Sequence, residues 1–142
     1  MPGKLDKQDQ RIIAILKGKS VPDVTDETLK CYLEYLEENL ESPCFLTGIE
    51  DFPWEEQYVF GYGDEKEYEK LKKKNPSYKD TFKLLALEPF EPNDDQLYVK
   101  VERVLDQKKF TIPLADLEAT ERESKNYQRL DDYSVWWVNY RD

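Results

Sequence analysis

The chain has 142 residues, 31 of them acidic and 21 basic, for a net charge of −10; that length suits one domain with one core, and that charge attracts cations and repels phosphate backbones, so nucleic acid is not expected as a partner. Histidine is absent, which excludes an imidazole general base, a Ser-His-Asp triad and an ordinary zinc site. No apolar run approaches the ~18 residues that would span a bilayer, so no membrane partner is expected either.

In chain order, the opening Met1-Pro2-Gly3-Lys4-Leu5-Asp6 lacks the apolar stretch of a signal peptide, and a cytoplasmic protein is expected. Ile12, Ile13, Ile15 and Leu16 then fit a short helix over 9–17, stopped by Gly18. Thr25 is a good N-cap for a second helix over 26–41, with Asp26 and Glu27 where the helix dipole favours negative charge. Leu29, Leu33, Leu36 and Leu40 form its apolar stripe, and Pro43 ends it. Two aromatic-rich runs, 44–49 and 56–61, read as strands. The Glu, Lys and Tyr of 64–75 read as a helix of modest stability, in which Glu69-Lys73 is an attractive i,i+4 pair. Residues 81–87 form another strand, followed by the acidic loop Glu91-Pro92-Asn93-Asp94-Asp95. Leu97, Val99 and Val101 alternate with polar residues, Asp106-Gln107-Lys108 turns the chain, and Phe110 and Ile112 alternate on the return, which is a hairpin with one buried face. Residues 113–118 read as a turn or short helix. Ser124 caps a last helix whose inner face carries Leu130, Tyr133 and Trp137, widened by Tyr127 and Val138.

Helices at both ends of a run of short strands, without βαβ alternation, give an α+β domain. About five antiparallel strands in a curved sheet or SH3-like half-barrel are expected, packed by the helices near 26–41 and 124–140. The whole chain forms one domain, with residues 1–24 an N-terminal helical extension. Cys31 and Cys44 fall on different elements and are expected as separate packed thiols, as a reducing compartment favours.

The carboxylates carry the functional reading. Spaced ~100° apart, Glu27, Glu34, Glu38 and Glu41 gather opposite the leucine stripe of the second helix, with Glu37 on the flank. Like charges at i,i+4 repel slightly, and a cation among them would reverse the penalty. Ca²⁺ suits such a surface because it takes ~6–8 oxygens in flexible geometry and needs no nitrogen or sulfur. No EF-hand loop occurs in the sequence. Asp94 and Asp95, Asp116 and Glu118, and Asp131 offer further oxygens. Solvation of an outer helix face, turn formation and capping account for the same residues.

Three stretches carry a resemblance: Tyr35-Leu36-Glu37-Glu38-Asn39-Leu40-Glu41-Ser42-Pro43, Phe110-Thr111-Ile112-Pro113-Leu114-Ala115-Asp116-Leu117-Glu118-Ala119, and Asp132-Tyr133-Ser134-Val135-Trp136-Trp137. In order and rough spacing they resemble the small cyanobacterial calcium-binding protein family (CcbP-like). The resemblance implies a compact protein without EF-hands that binds Ca²⁺ through acidic surface residues as a buffer or regulator, and implies no reaction. It points to Glu38, just before the helix asparagine, with Glu37 and Glu41 beside it, and it marks 64–78 as a charged insertion.

The expected metal set is thus Glu37, Glu38, Glu41, Asp94, Asp95, Asp116, Glu118 and Asp131, with Ca²⁺ as the ion. The competing reading is an interaction module of immunity or regulatory type, whose acidic face docks a basic protein partner without metal. A glycosidase-like pairing of Asp131 with Glu118 is a third, disfavoured reading, since nothing in the sequence sets these carboxylates in a cleft.

Overall fold

The first helix, α1, runs Lys7–Leu16, starting two residues before the expected 9, because the Asp6 side chain accepts from the Asp9 N–H and caps it there. The computed structural model describes residues 6–141. Met1–Leu5, on which the expectation about a leader rests, lie outside the described residues. The chain leaves α1 through Lys17, which takes the left-handed conformation at φ 57°, so the stop comes one residue before Gly18.

Thr25 caps α2 (Asp26–Asn39) through its side chain and a reciprocal bond from Thr28. Leu29, Leu33 and Leu36 are buried as the stripe requires, joined by Tyr32. After β1 (Phe45–Gly48) the chain does not form the strand expected at 56–61. Pro53 starts a 3-10 turn (Pro53–Glu55) that runs into the single helical turn α3 (Glu56–Val59). Proline is pre-organised for the first helical position, and this local preference overrides the strand propensity of the aromatic residues that follow. Tyr58 instead stacks on Tyr68 of α4 (Glu65–Lys74), with ring centroids 5.0 Å apart. In α4 the ion pair is Lys72–Glu69 at i,i+3, 2.8 Å, where the sequence pattern suggested Glu69–Lys73.

β2 (Phe82–Leu87), β3 (Tyr98–Arg103) and β4 (Lys109–Pro113) form the expected meander. The segment 113–118 divides: Leu114–Asp116 is a 3-10 turn, and Leu117–Ala119 is a fifth strand, β5, paired with β1. Three residues are too few for a clear period-2 signal, so its partner strand defines it. The antiparallel order is β4-β3-β2-β1-β5. A flat sheet of five strands is roughly 19 Å from edge to edge, and the step from Pro113 to Leu117 spans at most about 14 Å. The sheet must therefore curl to let one 3-10 turn join its two edges.

The concave side is filled by α2 and by α5 (Lys125–Tyr140). On α5 the deepest residues are Leu130, Tyr133 and Trp136, and the expected flank residue Val138 is half exposed. The Leu97 amide, just before β3, donates to the Tyr133 hydroxyl oxygen, 2.9 Å, and the Trp136 indole donates to the Pro22 carbonyl, 2.8 Å. Cys31 and Cys44 are unbridged. Among the described residues, no helix is long and apolar enough to cross a membrane.

Candidate metal centre

β1 ends at a glycine for a steric reason. A Cβ on Gly48 would lie 2.5 Å from Tyr78 Cβ and 2.6 Å from its Cα, and the Gly48 amide donates to the Tyr78 carbonyl at 3.0 Å. Just beyond, the Ile49 amide donates to the Asp116 carbonyl, 3.0 Å. This bond ties the acidic Glu50-Asp51 pair to the 3-10 turn that carries Asp116. From the other side, Ser134 of α5 donates to the Ala115 carbonyl, 3.2 Å. Three segments distant in sequence thus meet around a cleft of about 570 Å³, lined by Glu50, Asp51, Glu56, Asp116 and Asp131, with Gln96, Ser134, Asn139 and Arg141.

Asp116, half-buried, lines this cleft. Burial first, and then the charge of Glu50, push its carboxyl above the usual carboxylate range, while Arg141 pulls it back. Asp131 sits on the wall, where its Oδ2 accepts from Gln8 Nε2 at 3.0 Å. Trp137 and Arg141 separate this cleft from a neighbouring one of about 480 Å³ that holds Asp26, Asp94 and Asp95. The Arg141 guanidinium lies 4.0 Å from the Trp137 ring centroid, and the indole donates to the Asp95 carbonyl, 2.8 Å. In that second cleft Asp94 closes its own turn, accepting the Glu91 amide at 2.9 Å, with Asn93 at φ 78°.

The eight residues singled out in the sequence therefore do not form one group. Asp116 and Asp131 share the main cleft, and Asp94 and Asp95 share the adjoining one. The carboxylate stripe of α2 is divided. Glu38, with Glu34, faces a groove that already contains Arg11 and Lys17 of the α1 region. Glu37 and Glu41 border another groove against Leu84–Leu87 of β2, and Glu41 lies 4.0 Å from Arg129. Glu118 on β5 accepts from Tyr127 at 3.4 Å and pairs with Arg122 at 3.6 Å. Glu50, Asp51 and Glu56 also line the cleft, and their signal in the sequence is an acidic pair immediately after the strand expected at 44–49. Among the described residues, no three Asp, Glu or Cys side chains are gathered closely enough to hold one ion.

A family model described as calcium binding, Calci_bind_CcbP, matches residues 21–137. The chain belongs to the CcbP calcium-binding family. No curated protein sequence matches it. The fold is similar to that of Anabaena CcbP in its crystal structure, with 16% identity, 96% of this chain and 94% of that chain covered, and a TM-score of 0.57. It is also similar to a calcium-binding protein in the calcium-binding form, at 18% identity, 98% and 95% coverage and a TM-score of 0.61. At such identities these two structures establish shared fold, and the sequence match establishes the family. Calcium is the ion of that family, and the lining of the main cleft is of the chemistry it takes: apart from the Trp137 indole and Arg141, its polar side chains all carry oxygen, although its carboxylates stand too far apart in this structure to meet on one ion, and one of them, Asp116, is held there at a cost to its charged form.

Proposed function

We propose that this CcbP-family protein binds Ca²⁺ in the cleft around Asp116, with Glu50, Asp51 and Asp131 as the carboxylates nearest to serving the same ion, and that it acts as a Ca²⁺ buffer or regulator. The observation that carries the reading is the convergence of Glu50, Asp51, Asp116 and Asp131 on one cleft, with the half-buried Asp116 disfavoured as an anion by burial and by Glu50. A bound cation removes both penalties at once. Bound Ca²⁺ would supply a fixed charge that draws the Glu50-Asp51 loop toward Asp116, with water completing the ~6–8 oxygens the ion takes. Arg141, stacked on Trp137, is a cation bordering the cleft and would oppose the bound ion. The α2 glutamates are the weaker site because Arg11, Lys17 and Arg129 already face them. The setting proposed is the cytoplasm, in keeping with two unbridged thiols.

Calorimetry with Ca²⁺ and Mg²⁺ on chelator-treated protein tests the assignment. Saturable Ca²⁺ binding is expected, with Mg²⁺ weaker because it demands a tighter octahedron and keeps its water. Asp116→Asn should abolish the binding and Glu38→Gln should leave it. Loss in Glu38→Gln with retention in Asp116→Asn would move the site to α2. No binding at all would leave the acidic face to a basic protein partner.

A further inference from the structure

We infer that docking of α1 and calcium binding are coupled through Gln8, which acts as a positioning residue for Asp131; the inference rests on the Asp116 cleft being the calcium site. Gln8 stands in the first turn of α1, and its Nε2 donates to Asp131 Oδ2 at 3.0 Å and to Asp132 Oδ1 at 2.9 Å. Asp132 is buried and is gripped from the same helix by Arg11, Nε to Oδ2 at 2.8 Å and Nη2 to Oδ1 at 2.9 Å. That charged, two-point contact fixes Asp132. Gln8 therefore reaches from a fixed group to a carboxylate on the wall of the cleft, and it takes up only one of the two Asp131 oxygens. A carboxylate steadied by a neighbouring donor is a better metal ligand than one free to rotate.

The helix that supplies this donor is held by one apolar edge, Ile12 with Ile15 and Leu16 beside it, and by polar contacts with α5. Ile12 alone among its ten residues is fully buried. Beneath it the Tyr32 hydroxyl is buried with no hydrogen-bond partner, within electrostatic reach of Asp132 and Arg11. The polar contacts of Gln8 and Arg11 with α5 thus act beside the apolar packing of Ile12, Ile15 and Leu16 in docking α1. Linkage then makes the effect mutual: by whatever factor docked α1 strengthens calcium binding, bound calcium strengthens the docking of α1.

The test uses the full chain and its Gln8→Ala and Gln8→Glu variants, beside Asp116→Asn. Calcium affinity is measured by calorimetry, and opening of α1 by hydrogen exchange of its amides with and without Ca²⁺. Gln8→Ala should weaken binding about tenfold, as removal of an outer-shell partner does. Gln8→Glu adds a negative charge near the cleft, so a purely Coulombic role expects tighter binding. A carboxylate cannot donate to Asp131, so positioning expects weaker binding. In the unaltered protein Ca²⁺ should slow α1 exchange by a factor matching the affinity ratio, and in Gln8→Ala that slowing should vanish. Unchanged affinity in Gln8→Ala, tighter binding in Gln8→Glu, or α1 exchange indifferent to Ca²⁺ each overturns the inference. If Asp116→Asn abolishes binding while Gln8→Ala leaves it intact, the coupling alone is wrong; if Asp116→Asn binds as well as the unaltered chain, the site itself is.

Discussion

Asp116 must hold its charge while half-buried beside Glu50, and this has a measurable consequence for stability. With its folded-state carboxyl raised, the native protein holds that proton more tightly than the unfolded chain. Its contribution to stability is therefore full below the ordinary carboxylate range and is lost as pH rises through the raised value. Near neutral pH and without calcium, Asp116→Asn should melt at a higher temperature than the unaltered protein, and the difference should disappear in acid. Thermal unfolding across roughly pH 3 to 8 in chelator reads this directly, the range bracketing the usual carboxylate values. Excess Ca²⁺ should reverse the order, because only the unaltered protein gains from mass action. The two thiols also differ as their surroundings dictate. Burial pushes the Cys44 thiol up to about 11, against a smaller opposing effect of the Asn126 side chain, so almost no thiolate exists at neutral pH. Cys31 is only partly buried. A thiol reagent at neutral pH should modify one cysteine in the folded protein, Cys31, and reach Cys44 only on unfolding; equal rates would contradict the burial.

The elements easiest to read were those with a long period and a chemical cap. Thr25 and the leucines of α2, Ser124 and the apolar face of α5, and the alternation from Leu97 to Ile112 each marked an element that exists. What the sequence concealed was short and defined by distant partners. β5 exists because Leu46, Thr47 and Gly48 pair with it, and the segment from Pro53 to Tyr78 is organised by a residue that looked like one more surface glutamate. Glu55 is fully buried, and its carboxylate accepts four hydrogen bonds: Oε1 from the Phe52 and Tyr78 amides, at 3.3 and 2.8 Å, and Oε2 from the Tyr68 and Ser77 hydroxyls, both at 2.7 Å. Arg103 does the complementary work at the C-terminal end of α4. It is buried too, donating to the carbonyls of Lys72, Lys73 and Asn75 and to Asp80 and Asp106. The helix end is thereby capped by a cation, as its dipole favours. Glu55→Gln keeps the shape but turns an amide NH₂ toward one pair of donors. It should cost about 3 kcal/mol in denaturant unfolding, the scale of two charge-assisted bonds lost with donors left unsatisfied. Gly48→Ala, which forces a methyl group into the Tyr78 backbone, should cost about 2–3 kcal/mol by overpacking.

At the scale of the whole molecule, composition was the most informative part of the sequence: a net charge of −10 with no histidine pointed to a hard cation before any fold was in view. It did not point to the place. The α2 stripe has the densest carboxylates in sequence, yet folding sets Arg11 and Lys17 opposite one half of it and Arg129 near the other. The Asp116 cleft draws three acids from residues 50–56 and one each from Asp116 and Asp131, so no window of sequence shows them all together. Lysines are distributed unevenly as well. Seven lie between Lys66 and Lys83, which leaves the remainder of the chain more acidic than the total charge indicates. Such a field concentrates a divalent cation, and the attraction should weaken with added salt as the Debye length shrinks from ~30 Å at 0.01 M to ~8 Å at 0.15 M. Arg141 opposes that field inside the cleft itself. A unit charge several ångströms from a divalent ion in largely aqueous surroundings is worth about 1 kcal/mol. Arg141→Gln should therefore tighten calcium binding roughly fivefold at low salt, and by less at high salt, where screening already weakens the repulsion. Calorimetry at the two ionic strengths measures both numbers. An affinity unaffected by the loss of Arg141 would place the ion outside the cleft that Arg141 borders.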